Sequence, residues 1–334
     1  MNDFLVKTEN LKKYFSEEGR LSFFSMRSMK SVVRAVDNLD LNICRNEVLG
    51  LVGESGCGKS TLGKTILRLE EPTSGKIFFE NQDITHYSQD ALKSIRKKMQ
   101  IIFQDPASSL NPRKTVFDII SQPLNVHGLV SGKRETMDRV ADLLGKVGLE
   151  RDHKDRYPHQ FSGGQRQRIC IARAIALNPT FLVADEVVSA LDVSIQAQIL
   201  KLLLILKNDL NLSILFISHD LSVVRQISDK VAVMYLGRIV EMAPSENLFS
   251  APRHPYTRAL ISAIPIPDMQ ICWRPTILQG ETPSPSRRPE GCSFHPRCPE
   301  AFDLCDKEDV ELVEITEGHS VACHLYRSQD SPLK

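Results

Sequence analysis

Residues Gly53-Glu54-Ser55-Gly56-Cys57-Gly58-Lys59-Ser60 fit the pattern G-x4-G-K-S/T throughout. Glycines at these spacings let a backbone wrap closely around an oxyanion, with several N–H groups turned inward. Lys59 supplies charge for the outer phosphates of a polyphosphate. The Ser60 hydroxyl suits magnesium, and Thr61 continues the binding set. The flanks agree with this chemistry. Val48 to Val52 is a short apolar run that reads as a buried strand, and "TLGKTILRL" after the loop has helical spacing. The loop therefore feeds a helix N-terminus, whose field favours an anion.

Magnesium needs a carboxylate, and hydrolysis of a phosphate chain needs an oriented water. "TFLVADE" (180–186) supplies both. Phe181 to Ala184 reads as a buried strand, and Asp185 stands at its C-terminal end, where ligands of open α/β sheets bind. Asp185 is expected to hold the metal and Glu186 to polarise the attacking water. A second glycine loop follows the same physics. In "FSGGQRQRICIARAIALNP" (161–179), Ser162 can cap a helix whose first turn holds Gly163 and Gly164, and Asn178-Pro179 ends it. This is a second helix N-terminus able to meet an anion. One nucleotide carries one γ-phosphate, so the second site must serve something else.

The elements that position these groups can be read from the rest of the chain. Its 334 residues suffice for about two domains at roughly 150 residues each. With 42% hydrophobic and 25% charged residues the chain can bury a core and is not a disordered polymer. A formal net charge of +1 gives no global reason to bind nucleic acid. "MNDFLVKTENLKKYF" is charged and does not read as a signal peptide. The most apolar helical stretch, "ILKLLLILKNDL" (199–210), is too short to span a bilayer, which predicts a soluble, cytosolic chain. "VFDIISQPLNVHGL" and "TMDRVADLLGKVGL" show amphipathic helical spacing. Cys44 and Cys170 read as small buried apolar residues.

Taken together, the motifs resemble those of the ATP-binding-cassette ATPases over almost the whole chain. Ser162-Gly163-Gly164-Gln165 matches the signature loop, with Phe161 where Leu is commoner. Gln104 in "IIFQDP" matches the Q-loop, Ser189-Ala190-Leu191-Asp192 the D-loop, and His219 in "LFISHD" the switch histidine. The resemblance implies an α/β P-loop NTPase fold of the ABC-ATPase type. Its parts would be a RecA-like core, an antiparallel β subdomain and a helical subdomain at about 105–165, within an ATPase domain at 1–250. It implies ATP and Mg2+ as ligands, with Ser60, Gln104 and Asp185 around the metal. His219 would contact the γ-phosphate, and Gln104 would reach metal or water. An aromatic before the phosphate loop would stack on adenine, with Phe15 preferred and Tyr14 as fallback. It also implies that two cassettes pair head to tail, each signature loop closing on the nucleotide of the other, which gives the second anion site its use. The chain departs from the family after Glu186, where Val187-Val188 replaces the usual Pro-Thr or Pro-Val. This frees a φ angle and adds an N–H.

"FQDPASSLNPRKTV", "HPYTRAL" (254–260) and "GETPSPSRRPEGCSFHPRCP" look like the oligopeptide and dipeptide importers, and more narrowly like the second of their two unlike ATPase subunits. That implies a heterodimer with another ABC ATPase, two transmembrane permease subunits, an extracytoplasmic solute-binding protein, no nucleic acid, and a place on the cytoplasmic face of the membrane. Import of nickel or another small solute, and a soluble non-transport cassette ATPase, are the alternatives. Residues 251–334 form the importer-type tail, a small Cys-rich domain. Its spacing, Cys292-x5-Cys298-x6-Cys305-x17-Cys323, has no C-x2-C pair and fits a zinc ribbon poorly. Four thiolates at mixed spacing suit a four-iron, four-sulfur (4Fe–4S) cluster, and the resemblance points the same way. Zinc, with His295, His319 and His324 as possible ligands, and a group of thiols without metal are the alternatives. Residues 17–36 read as a hairpin insertion whose Arg20, Arg27, Lys30 and Arg34 lie beside Phe23-Phe24.

Overall fold

The structure is a computed structural model that describes residues 4–17, 31–264 and 275–326. Along the chain run β1 (Phe4–Glu17), β2 (Ser31–Cys44), β3 (Val48–Val52), α1 (Lys59–Ile66), β4 (Ser74–Phe79), β5 (Gln82–Asp83), α2 (Gln89–Lys98) and β6 (Met99–Ile102). Then come α3 (Pro106–Ser109), α4 (Val116–Val126), α5 (Lys133–Lys146), α6 (Gly163–Ile175), β7 (Phe181–Asp185), α7 (Val193–Leu210), β8 (Ser213–Ile217) and α8 (Leu221–Ile227). The C-terminal third adds β9 (Lys230–Tyr235), β10 (Arg238–Pro244), α9 (Ser245–Ser250), α10 (Pro255–Ser262), β11 (Val313–Thr316) and β12 (His319–Val321). Of the expected insertion, Glu17 ends β1 and residues from Ser31 belong to β2. Arg20, Phe23, Phe24, Arg27 and Lys30 lie outside the described residues.

The chain divides into two compact units. The first comprises residues 1–5, 43–48 and 79–218. Its centre is a parallel set, β6 beside β7 beside β8, with Ile101 opposite Val183 and Val183 opposite Leu215. Every residue of β7 and β8 is buried. That explains their near-continuous apolar runs, since a parallel sheet is covered on both faces. Residues 105–165 include α3, α4 and α5. Thr115 and Asp118 form a capping box that starts α4. Thr136, Val140, Leu143 and Leu144 give α5 its buried stripe.

The second unit comprises residues 6–42, 49–78 and 219–334. Here β3 runs parallel to β9, β9 pairs antiparallel with β10, and β12 and β11 continue the antiparallel order. The segment expected as a tail thus shares a unit with the phosphate loop and extends a sheet, Glu241 standing opposite Val321. It also has apolar packing. Phe294 is 1% exposed and lies against Tyr235, Tyr256 and His254. Burying such a ring contributes about 1.5–3 kcal/mol.

Candidate active site

The phosphate loop joins β3 to α1, and two of its glycines cannot be replaced in this conformation. Gly53 has φ +155°, and a Cβ there would stand 2.2 Å from the Met234 carbonyl oxygen. Gly58 has φ +108°, and its Cβ would stand 1.9 Å from the Ala35 carbonyl oxygen. Gly58 is the N-cap of α1 and, having no side chain, supplies no side-chain cap to the first turn. Lys59 is 4% exposed and folds back over the loop, donating to the carbonyls of Gly53 (2.8 Å) and Glu54 (2.9 Å). Cys57 is buried beside it. Burial pushes its thiol up, against the opposing pull of the Lys59 ammonium.

Glu54 is held by residues of the C-terminal segment. Its N–H donates to the Tyr256 hydroxyl (3.0 Å). One carboxylate oxygen accepts from Thr282 Oγ1 (2.6 Å) and Arg297 Nη1 (2.9 Å), and the other from Arg297 Nη2 (3.1 Å). Sequence reading placed Glu54 in the loop but missed these three partners. The "HPYTRAL" motif marked the segment without showing where Tyr256 points.

In the first unit, Asp185 ends β7 and is buried. Glu186 follows with φ +47°, a left-handed conformation that costs a non-glycine residue about 1–3 kcal/mol. Its N–H donates to Ile217 O (2.9 Å), and its carbonyl accepts from Ser189 Oγ (2.9 Å). Its carboxylate accepts from Gln104 Nε2 at 2.7 Å. The structure thus joins two residues 82 positions apart that sequence reading had assigned to one reaction. Val187 and Val188 are both buried, and Gln196 Nε2 donates to the carbonyls of Val188 and Leu191. Packing and these bonds hold the turn where the family's proline is missing.

The signature helix α6 begins as expected. The Ser162 hydroxyl accepts from the Gln165 N–H, and Gln165 Oε1 accepts from the Ser162 N–H. Gly164 packs so closely on α7 that a Cβ would stand 2.6 Å from Ile195 Cγ2. Gly163 has more room, its nearest neighbour being Leu191 at 3.5 Å. Asp192 caps α7, and the Ser194 hydroxyl and Ile195 N–H hold its carboxyl below the usual range. In the second unit, His219 is exposed and immediately precedes Asp220, the N-cap of α8. Phe15 is exposed, with Lys13 Nζ 4.7 Å from its ring centre. Tyr14 instead donates to the Asp37 carboxylate, and burial together with that contact pushes its hydroxyl up to about 12.

The four tail cysteines are free thiols. Cys292 and Cys305 are buried, Cys298 and Cys323 half-buried, and the Cys292 N–H donates to Cys305 O (2.8 Å). Burial pushes Cys298 and Cys323 up to about 11, and each is raised further by the charge of the other thiols. Among the described residues no group of three or more His, Cys, Asp or Glu is arranged to hold a metal ion. The histidines of the zinc alternative each have another partner: His295 Nδ1 meets Cys292 O (2.9 Å), His319 Nε2 meets Glu241 (2.8 Å), and His324 Nε2 meets Glu308 O (2.9 Å). Cys170 is buried as expected, whereas Cys44 is only half-buried.

Two family descriptions match the chain: ABC transporter over residues 36–189, and the C-terminal region of oligopeptide/dipeptide transporters over 240–305. The chain is 49% identical to the oligopeptide transport ATP-binding protein AppF of Bacillus subtilis (strain 168), over 96% of this chain and 97% of that one. It is 49% identical to the probable peptide ABC transporter ATP-binding protein y4tS of Sinorhizobium fredii, over 97% and 91%. Among solved structures it resembles the ATP-binding cassette MJ0796 in a dimeric post-hydrolysis state bound to ADP and Pi, with TM-score 0.63 and 28% identity over 72% of this chain and 98% of that one. It also resembles cbiO1 of Clostridium perfringens, part of the transporter complex cbiONQ, with TM-score 0.63 and 29% identity over 75% and 92%.

Proposed function

The chain belongs to the ABC transporter ATP-binding family, and from that premise we propose that it hydrolyses ATP to drive import of di- or oligopeptides through a membrane permease. The observation that carries the reading is the oligopeptide/dipeptide transporter region at 240–305, joined to an ABC transporter cassette in one chain. Phe15 offers an exposed ring for adenine. Gly53 to Thr61 cradle the phosphates, and Lys59 exchanges its carbonyl partners for phosphate oxygens. Asp185, Ser60 and Gln104 would hold Mg2+, which neutralises charge on the phosphates when bound. Glu186, oriented by Gln104, takes the proton of the attacking water. His219 holds the γ-phosphate.

The Ser162-Gly163-Gly164-Gln165 helix end acts on the nucleotide of a paired cassette, with Asp192 in the adjoining D-loop. The partner is an unlike ATPase subunit, and the pair serves two permease subunits and an extracytoplasmic binding protein. No helix among the described residues is long and apolar enough to cross a membrane, which suits a peripheral subunit on the cytoplasmic face. Cys292, Cys298, Cys305 and Cys323 would hold a structural 4Fe–4S cluster; what supports this reading is their mixed spacing without a C-x2-C pair, and zinc is the alternative.

Proteoliposomes containing the co-purified subunits test transport. They should accumulate labelled peptide only with ATP on the side of this chain, and Lys59→Ala should abolish uptake. ATP-driven uptake of nickel without peptide would contradict the reading.

A further inference from the structure

The contacts around Glu54 point beyond the cassette itself. Glu54 is the first residue after Gly53, inside the loop that must meet a polyphosphate. Its carboxylate is an unfavourable charge beside such a ligand. Arg297 answers that charge with a two-pronged contact and is itself almost buried, at 9% exposure, against 26% for Glu54. Paired this way, a guanidinium both neutralises a carboxylate and fixes its direction. Thr282 donates to the same carboxylate, and Arg297 Nη1 also donates to Thr282 Oγ1 at 3.1 Å.

The third support has its own scaffold. Tyr256 is 0% exposed and stacks obliquely on Tyr235, 4.8 Å between centroids. Its N–H donates to His254 Nδ1 (3.0 Å), which caps α10. The buried Glu241 carboxylate accepts from the N–H groups of Arg253 and His254 and contacts His319. From Glu241 through His254 to Tyr256, each group has a partner that aims the next, and the last meets the Glu54 N–H. Phe294, in the same short stretch as Arg297, fills the space against the Tyr256 ring.

We propose that Tyr256, Thr282 and Arg297 are positioning residues for nucleotide binding: the C-terminal segment holds the phosphate loop in its binding shape and cancels the charge of Glu54. The segment therefore sets ATP affinity rather than the hydrolytic step, whose residues Glu186 and Gln104 it does not supply. This rests on the ATPase reading above.

The test measures equilibrium binding of a fluorescent ATP analogue to the full chain, together with KM and kcat for ATP. Arg297→Ala should weaken binding roughly tenfold or more, because a buried charged bond is lost and Glu54 is left facing the phosphates. The rise should appear in KM, with kcat at saturating ATP changing less than about threefold. Glu54→Gln placed in the Arg297→Ala background should recover most of the affinity, since it removes the uncancelled charge. Arg297→Lys should fall between. Tyr256→Phe keeps the ring and removes only the acceptor of the Glu54 N–H. It should weaken binding several-fold, and it carries the test if Arg297→Ala does not fold. Unchanged affinity in both Arg297→Ala and Tyr256→Phe overturns the proposal. So does a loss confined to kcat, or the absence of rescue by Glu54→Gln. A wild-type chain that binds no nucleotide would instead defeat the ATPase reading.

Discussion

Two helix N-termini in this molecule face the same problem and solve it differently. Both α1 and α6 begin in glycine-rich turns. The cap of α1 is Gly58, without a side-chain acceptor, and Lys59 is folded onto the loop carbonyls. The cap of α6 is Ser162, which closes a reciprocal box with Gln165. The first is held by groups distant in the chain, through the Gly237 N–H, which donates to Cys57 O, and the partners of Glu54. The second is held by residues three positions apart. A loop that must open its donors to a polyphosphate takes its rigidity from outside. A helix end that needs only to present a surface can take it from its own cap.

The contrast breaks most sharply at the glycines. Gly58→Ala should abolish nucleotide binding, at least about a hundredfold, because its Cβ would meet backbone and the positive φ would be strained. Gly164→Ala meets only the movable Ile195 side chain and should lower hydrolysis while leaving nucleotide affinity near wild type. Nucleotide titration alongside ATPase rates checks both, and the reverse ranking would undo the comparison.

Acid should separate the two ends next. Burial and the nearby Arg258 cation lower His254 to about 3, so it stays neutral in the folded chain while the unfolded chain takes up a proton below about pH 6.5. The unfolded state then binds more protons. The stability contributed is fully present above pH 6.5 and falls as pH drops toward 3, by at most about 1.4 kcal/mol per pH unit. His254→Asn keeps a capping oxygen and should flatten that part of a Tm-against-pH curve. An unchanged slope would show that the cap behind Tyr256 is not the acid-sensitive element.

The smallest effect is expected at Ser162→Ala, about 1 kcal/mol of stability from the lost cap. ATPase rate should fall while binding of nucleotide to the single chain stays put. A matching loss of nucleotide affinity would mean that the two helix ends are not built independently.

Much of this architecture was legible because it is local. The apolar runs at 48–52 and 181–185, the Ser162 box and the stripes of α4 and α5 all lie within a few residues of one another. The family motifs assigned Gln104 and Glu186 to one reaction but did not show the hydrogen bond between them. What escaped was long-range. Glu54 meets Thr282 and Arg297 across 228 and 243 positions, and no spacing rule reaches that far. The joining of β12 to β10 escaped for another reason: "HSV" is too short to announce a strand, and its partner Glu241 is charged yet buried. The half-buried Cys44 shows the same limit, since residue type alone does not say how deeply a strand end lies.

The account turns on Glu186 as the group that activates water while nucleotide is clamped between paired cassettes. Glu186→Gln, assayed for ATP turnover and for mass in solution, alone and with the proposed partner ATPase subunit, tests this most directly. Turnover should fall at least about a hundredfold, and an ATP-bound dimer should accumulate. Wild-type turnover in that variant, or full-rate hydrolysis by a chain that stays monomeric, would contradict it.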